Sequence, residues 1–370
     1  MKRQGVVVLG PSREALSGVT THLNCLLGSR LASRFDLQHF QVGSEGRREN
    51  TLGKLARLLA SPFGLAAAVL RSDARVVHIN TSLNAKAYWR DMVYLVVAKL
   101  CGARVLYQVH GGLLRDFVLP HRLLRGLVKR MLRWPDAVVV LSREQRDAVL
   151  ELAPDQTVEI VPNGIDCAPY LRYNRAAPDP QSPLRLIYIG RLAGGKGLLE
   201  TLEGLRIACA RGFNARLVLA GSGPEELRLR QYVREAGLAR EVSFVGAAFG
   251  EHKAQLLSQA DAFVLASYGE GLPYSLLEAM AAGVVPVVTP VGAIPDVMTE
   301  HEHGLFVAPR DAGAIAAAIA TLACDRAALA RMSAACRKRI GGAYSIERVA
   351  KDFSALYWAL CATRAPTTAL

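Results

Sequence analysis

The chain has 370 residues, 51% of them hydrophobic, and a formal net charge of +13. Charged residues at 21% and aromatics at 6% exclude a disordered or low-complexity chain, and the length fits two or three domains with full cores. The positive balance favours an anionic partner (a nucleotide, a nucleic acid or an acidic lipid surface) and is concentrated in residues 1–168, where 23 Lys and Arg face 14 Asp and Glu, against 22 and 18 in the remainder.

The opening "MKRQGVVVLGPS" has a basic pair, but its apolar run is too short for a signal peptide; "GVVVLG" (5–10) reads as a buried strand. "DLQHFQV" (36–42), "RVVHINTS" (75–82), "RVLYQVHGG" (104–112), "AVVVLS" (137–142) and "VEIVPNG" (158–164) continue the series. The apolar run "MVYLVVAKL" (92–100) is broken by Lys99 and too short to span a bilayer. After the proline-rich "APDPQSP" (177–183) the rhythm restarts with "LRLIYIGR" (184–191), "ARLVLAGSG" (215–223), "VSFVGAA" (242–248), "AFVLAS" (262–267), "VVPVVT" (284–289) and "GLFVAP" (304–309). Amphipathic helical stretches such as "GPEELRLRQYVREAGL" (223–238) lie between them. Continuous apolar strands alternating with helices predict parallel sheets covered on both faces, and two such series predict two doubly wound domains. Seven cysteines stand singly, at 25, 101, 167, 209, 324, 336 and 361, with no CxxC. This argues against a disulfide framework or zinc site and fits a soluble chain in a reducing cytosol.

In doubly wound folds ligands bind beyond the carboxyl ends of the strands, so the turns there carry the chemistry. "GRLAGGKG" (190–197) places Arg191 and Lys196 around a glycine-rich turn that leads into a helix, the makings of an anion site as well as of a solvated turn. It is not a P-loop, because Gly197 stands where Ser or Thr would follow the lysine. "AGSGPEE" (220–226) reads first as fold punctuation and second as a pocket wall. In "EGLPYSLLEAMAAG" (270–283) Pro273 opens a helix and Gly283 closes it, with Glu270 before the first turn and Glu278 inside it. A carboxylate there is either a dipole partner or a grip on a pair of hydroxyls. His110 ends a strand beside Gly111 and Gly112, as a structural hydrogen-bonding residue or as part of a site.

Taken together, the Glu270–x7–Glu278 pair, the "GRLAGGKG" turn upstream and "VPNGID" between the halves resemble glycosyltransferase family 4. The resemblance implies a retaining enzyme of the GT-B fold: two doubly wound Rossmann-like domains facing a central cleft. It implies an N-terminal acceptor-binding domain over 1–168 and a C-terminal nucleotide-sugar-binding domain over 169–345. A last helical segment, 346–370, would return to the first domain. Arg191 and Lys196 would hold the donor diphosphate, Glu278 the ribose hydroxyls and Glu270 the donor sugar near its 3-hydroxyl. The backbone of Leu272, Tyr274 and Ser275 would support sugar and phosphate, and that near Ala248 the base. "LSGVTTHL" (16–23) resembles the family's glycine loop beneath the phosphates, with Gly18 retained and Ser17 where the family often has a second glycine; His110 would help position the donor sugar. Ala266 stands where the family commonly has proline.

No DxD pair occurs, so the usual metal ligands of other sugar transferases are missing, and transfer without a metal or other cofactor is expected. The expected donor is a UDP- or GDP-sugar. The basic stripe in "HRLLRGLVKRMLRW" (121–134) reads as a core-packing helix with a solvated basic face or as a surface for anionic lipid, and "LGKLARLLASPFGL" (52–65) is a second such candidate. Together they point to a glycan or lipid-linked acceptor in envelope or exopolysaccharide assembly, with peripheral contact at the cytoplasmic face of the membrane. Two other classes compete: a GT-B sugar-nucleotide epimerase, which would turn over without acceptor, and a basic nucleic-acid-binding module, for which no RRM, zinc or helix-turn-helix signature is present.

Overall fold

A computed structural model describes residues 3–44, 50–81, 85–111, 122–173 and 181–362. Gly112, His121 and residues 177–180 of the proline-rich linker lie outside them, as do the side chains of Arg122, Leu123 and Leu124. The chain divides into two units, Met1–Gly164 with Ile346–Leu370, and Ile165–Ser345.

The first unit holds a six-stranded sheet: β1 (Gln4–Gly10), β2 (Phe35–Gln41), β3 (Ala74–Thr81), β4 (Arg104–Val109), β5 (Ala137–Val140) and β6 (Val158–Ile160), in the order β2-β1-β3-β4-β5-β6 with every pair parallel. Side chains alternate between its faces. Val7, Leu9, Val77, Ile79, Val105 and Tyr107 join one apolar cluster, which Leu65, Val69, Leu95 and Val128 from the crossover helices complete. Val6, Val8, Val76 and Leu106 join the other, closed by Val349, Phe353 and Tyr357. Helix Ile346–Ala362 is therefore a core element of the first unit. "VEIVPNG" pairs only over Val158–Ile160; the chain then leaves the sheet, and Gly164 passes so close to the C-terminal helix that a Cβ would lie 2.7 Å from Val349 Cγ2.

Helix starts follow local hydrogen-bond chemistry. Ser17, Asn50, Ser142, Asp311 and Asp325 cap their helices by accepting from the backbone N–H three residues on. Ser17 thus does work at the head of helix Gly18–Gly28 that a second glycine could not.

The second unit repeats the plan with β7 (Leu184–Ile189), β8 (Ala215–Ala220), β9 (Val242–Phe244), β10 (Ala262–Leu265), β11 (Val285–Val288) and β12 (Leu305–Phe306), all parallel and ordered β12-β11-β10-β7-β8-β9. The order reverses between β7 and β10, which opens a crevice at their carboxyl ends.

Candidate functional site

Two turns meet at the β7/β10 reversal. After β7 the chain runs through Arg191 to Gly197, with Gly195 at φ 81° and Gly197 at φ 64°, a left-handed conformation that glycine takes without strain. Gly197 heads helix Leu198–Ala210, and a Cβ there would lie 2.0 Å from the carbonyl oxygen of Ala266, just past β10. Tyr268 N–H donates to Gly195 O at 2.8 Å, so the two strand ends are stitched together. Gly221 and Gly223 serve the same turn: Cβ atoms on them would meet the carbonyl oxygens of Gly190 and Leu192 at 1.9 and 2.2 Å. "AGSG" is thus packing punctuation beneath the site.

This stitching brings Lys196 and Glu270 into contact. Lys196 Nζ is 2.6 Å from Glu270 Oε1, and Ser267 Oγ donates to the same oxygen at 2.7 Å. Glu270 is largely buried, while Arg191 is exposed and makes no ion pair among the described residues. Behind them Tyr188 donates its hydroxyl to Arg191 O at 2.8 Å; burial and then the charge of Glu270 raise its pKa, so it stays a donor. The segment after Glu270 is held by Ala293 N–H, which donates to Gly271 O at 2.9 Å, and by Gly292 at φ 58°.

Helix Tyr274–Ala281 follows, with Pro273 in the capping position and Gly283 at φ 73° beyond its end. No acidic residue occupies its first turn, and the N–H of Ser275 has no partner among the described residues. Its positive end therefore stays available to an anion. Leu272 and Tyr274 are buried and Ser275 half-buried; Ala248 is buried in the segment after β9. Glu278 is buried and pairs with Lys253 of helix Gly250–Gln259, Nζ to Oε1 2.5 Å. Lys253 escapes sequence reasoning, because nothing in "GEHKAQLLSQ" sets it apart from a solvent-facing lysine.

In the first unit, Gly18 is the first residue of its helix and His110 follows β4 directly. His110 is buried, and its Nε2 lies 2.7 Å from Asn80 Oδ1. Asn80 donates its amide nitrogen to Leu9 O at 2.9 Å. The amide orientation is thereby fixed, Oδ1 must accept, and His110 carries its proton on Nε2. The His22 ring packs 4.5 Å from that of His110. His78 contacts Tyr357 OH through Nδ1 at 2.7 Å and Gln108 Oε1 through Nε2 at 2.9 Å. Burial lowers the pKa of His22 to about 4 and that of His78 to about 3. Burial, followed by the neighbouring His22 and His78, holds His110 well below the usual range, so all three are neutral imidazoles at neutral pH. The sequence signal for this network was "HIN" and "QVH" at the ends of adjacent strands, where Asn80 and Gln108 are Cα partners.

Two family models match the chain in succession: Glycosyltransferase Family 4 over residues 27–169 and Glycosyl transferases group 1 over residues 173–339. Among curated proteins it is 31% identical to a glycogen synthase of Mycobacterium tuberculosis over 232 residues, 62% of this chain and 55% of the relative. It is 30% identical over 172 residues to the GDP-mannose:cellobiosyl-diphosphopolyprenol alpha-mannosyltransferase of Xanthomonas campestris, 46% of this chain and 44% of that one. The chain thus spans about half the length of the curated relatives it matches. Among solved structures, sucrose-phosphate synthase from Thermosynechococcus elongatus superposes with a TM-score of 0.80 at 21% identity, covering 97% of this chain and 99% of that one. That likeness shows the fold, the GT-B arrangement of two Rossmann-like units.

Proposed function

The chain belongs to glycosyltransferase family 4, and from that premise we propose that it moves a sugar, with retention of configuration and without a metal ion, from a UDP- or GDP-sugar to a lipid-linked glycan in envelope or exopolysaccharide assembly. The observation that carries this reading is the Lys196–Glu270–Ser267 cluster beside Arg191 at the strand-order reversal. It sets a cation, a carboxylate and a helix N-terminus around one crevice, as a diphosphate bonded to a polyhydroxyl group requires. In this reading Arg191, Lys196 and the helix amides at 274–275 offset the charge that grows on the departing diphosphate. Glu270 accepts from a sugar hydroxyl through Oε2, its Oε1 being occupied, and Glu278 accepts from the ribose hydroxyls. The bond from the anomeric carbon to phosphate breaks as the acceptor oxygen bonds on the same face, and a phosphate oxygen takes the acceptor proton. A lipid-linked acceptor has support in the Xanthomonas relative, whose name specifies a diphosphopolyprenol; the cytoplasmic membrane face belongs to the proposal.

The test is transfer and binding measured separately. Lys196→Ala should cut transfer about 100-fold, roughly 3 kcal/mol of transition-state stabilisation, with the fold retained. Glu278→Ala should weaken affinity for the free nucleotide, and Glu270→Ala should mainly cut turnover with the sugar donor. EDTA should leave the rate unchanged. Equal calorimetric losses of nucleotide affinity in both glutamate variants, or activity lost in EDTA and restored by manganese, would count against these assignments.

A further inference from the structure

Helix Thr51–Arg71 is long and apolar enough to cross a bilayer, yet only 11% of that stretch is buried. Leu65 and Val69 hold it to the sheet core, Gly64 lies against the Phe40 ring, and Tyr94 donates to Ser61 Oγ at 2.9 Å. It is therefore fixed to the first unit along one side. The other side carries Leu52, Leu55, Leu59, Phe63 and Leu70, spaced three, four and seven apart and each between 56% and 78% exposed. A helix apolar all round is normally covered on every side. The neighbouring helix Ala85–Leu100 repeats the pattern, with Trp89, Val93, Val96 and Leu100 exposed at spacings of four, three and four.

The two helices themselves leave no acid at the surface, although Lys99 is paired with Asp136 at 2.5 Å. Thr51–Arg71 contains Lys54, Arg57 and Arg71 and no acid. The only acid of Ala85–Leu100 is Asp91, which is fully buried and paired with Arg90 at 2.7 Å. By contrast, helix Arg122–Leu132 turns Val128, Met131 and Leu132 into the core. The flanking Arg125 and Arg133 are drawn toward Glu151 and Asp155 at 3.6 and 3.7 Å.

We propose that the outer faces of helices Thr51–Arg71 and Ala85–Leu100 form a monotopic docking surface for an anionic bilayer, with the leucines and Phe63 entering the acyl boundary and the exposed Lys54 and Arg71 meeting the headgroups. The surface is argued from the first unit alone; the inference rests on the lipid-linked acceptor reading for why a transferase should sit there. Docking is chiefly apolar, so salt weakens it without abolishing it.

The experiment is flotation of the full chain with phosphatidylglycerol–phosphatidylcholine vesicles and with phosphatidylcholine vesicles, at low and high salt, for wild type and Leu55→Ser/Leu59→Ser/Phe63→Ser. Wild type should float with the anionic vesicles, remain partly bound at high salt, and bind phosphatidylcholine less. The triple variant should lose at least roughly tenfold in vesicle partitioning while keeping its melting temperature and its hydrolysis of the nucleotide sugar. Wild type that never floats, or a triple variant that floats equally well, overturns the proposal. So does self-association of the wild type in sedimentation that the triple variant lacks and that leaves no vesicle binding, since the occupant is then a second copy. Donor hydrolysis in the same preparations reports on the transferase reading independently.

Discussion

At the scale of the residue, the most constrained group is His110. Asn80 is locked by its bond to Leu9 O and can only accept from His110 Nε2. The imidazole is then left with Nδ1 as its lone pair, an acceptor and not a donor, and the side chain of Asn163 is a second hydrogen-bonding neighbour of the ring. Asn80 thus fixes the tautomer of His110. Asn80→Ala should free the tautomer and leave a buried imidazole N–H unpaired, at a cost of about 1–3 kcal/mol in stability. Nitrogen NMR should show a single Nε2-protonated form in wild type and a mixture in the variant, with kcat falling more than KM rises. A wild-type spectrum with Nδ1 protonated would refute the assignment. Arg191, Lys196 and Glu270 were readable in the sequence because each sits one turn beyond a continuous apolar strand. The bond between Lys196 and Glu270 was not, since it joins positions 74 residues apart. The histidine network shows in the sequence only through "HIN" and "QVH", because its members are far apart in the chain: His22 comes from a helix, His78 from within β3 and His110 from the residue after β4.

At the scale of the element, helix Tyr274–Ala281 announces itself through Pro273, Gly283 and its apolar face, but its stability depends on a neighbour. Glu278 is 7% exposed at the side chain and Lys253 19%, so their ion pair is nearly dry. Removing one partner strands a charge, whereas replacing both with apolar groups of similar size removes the conflict. Lys253→Met should therefore cost about 3 kcal/mol, and the double variant Lys253→Met/Glu278→Met should recover most of it while failing to bind nucleotide. Chemical denaturation of the three proteins provides the check; additive losses in the double variant would show that the pair is not coupled. The helix over 122–132 teaches the complementary lesson. Its stripe was visible as periodicity, but periodicity does not say what covers the stripe; here the apolar side faces the sheet, and it is helix Thr51–Arg71 that leaves leucines uncovered.

At the scale of the whole molecule, acid should act on the first unit before the second. The folded pKa of His22 is lowered to about 4 and that of His78 to about 3, and His110 is lowered as well, below the unfolded value of about 6.5. Below about pH 6.5 the unfolded chain takes up protons that the folded unit refuses. Stability from this source is thus complete above that pH and lost progressively toward about pH 3, the lowest of the folded values. Near pH 5 each of His22 and His78 should cost about 2 kcal/mol. Hydrogen exchange during urea titration should show protection of β3 and β4 falling with pH while that of β7 and β8 holds, and His22→Gln should flatten the slope. Equal pH dependence in both units would rule this out.

The division of the first unit into Met1–Gly164 and Ile346–Leu370 also bears on how the chain is made. A ribosome releases β1 to β6 long before Val349, Phe353 and Tyr357, the residues that close one face of that sheet. The intervening segment, Ile165–Ser345, is continuous and contains all of its own sheet. At roughly 5–20 residues per second, the first half waits on the order of ten to forty seconds with an open apolar face while the second half emerges and folds. The second unit can therefore complete its core before the first can close its own.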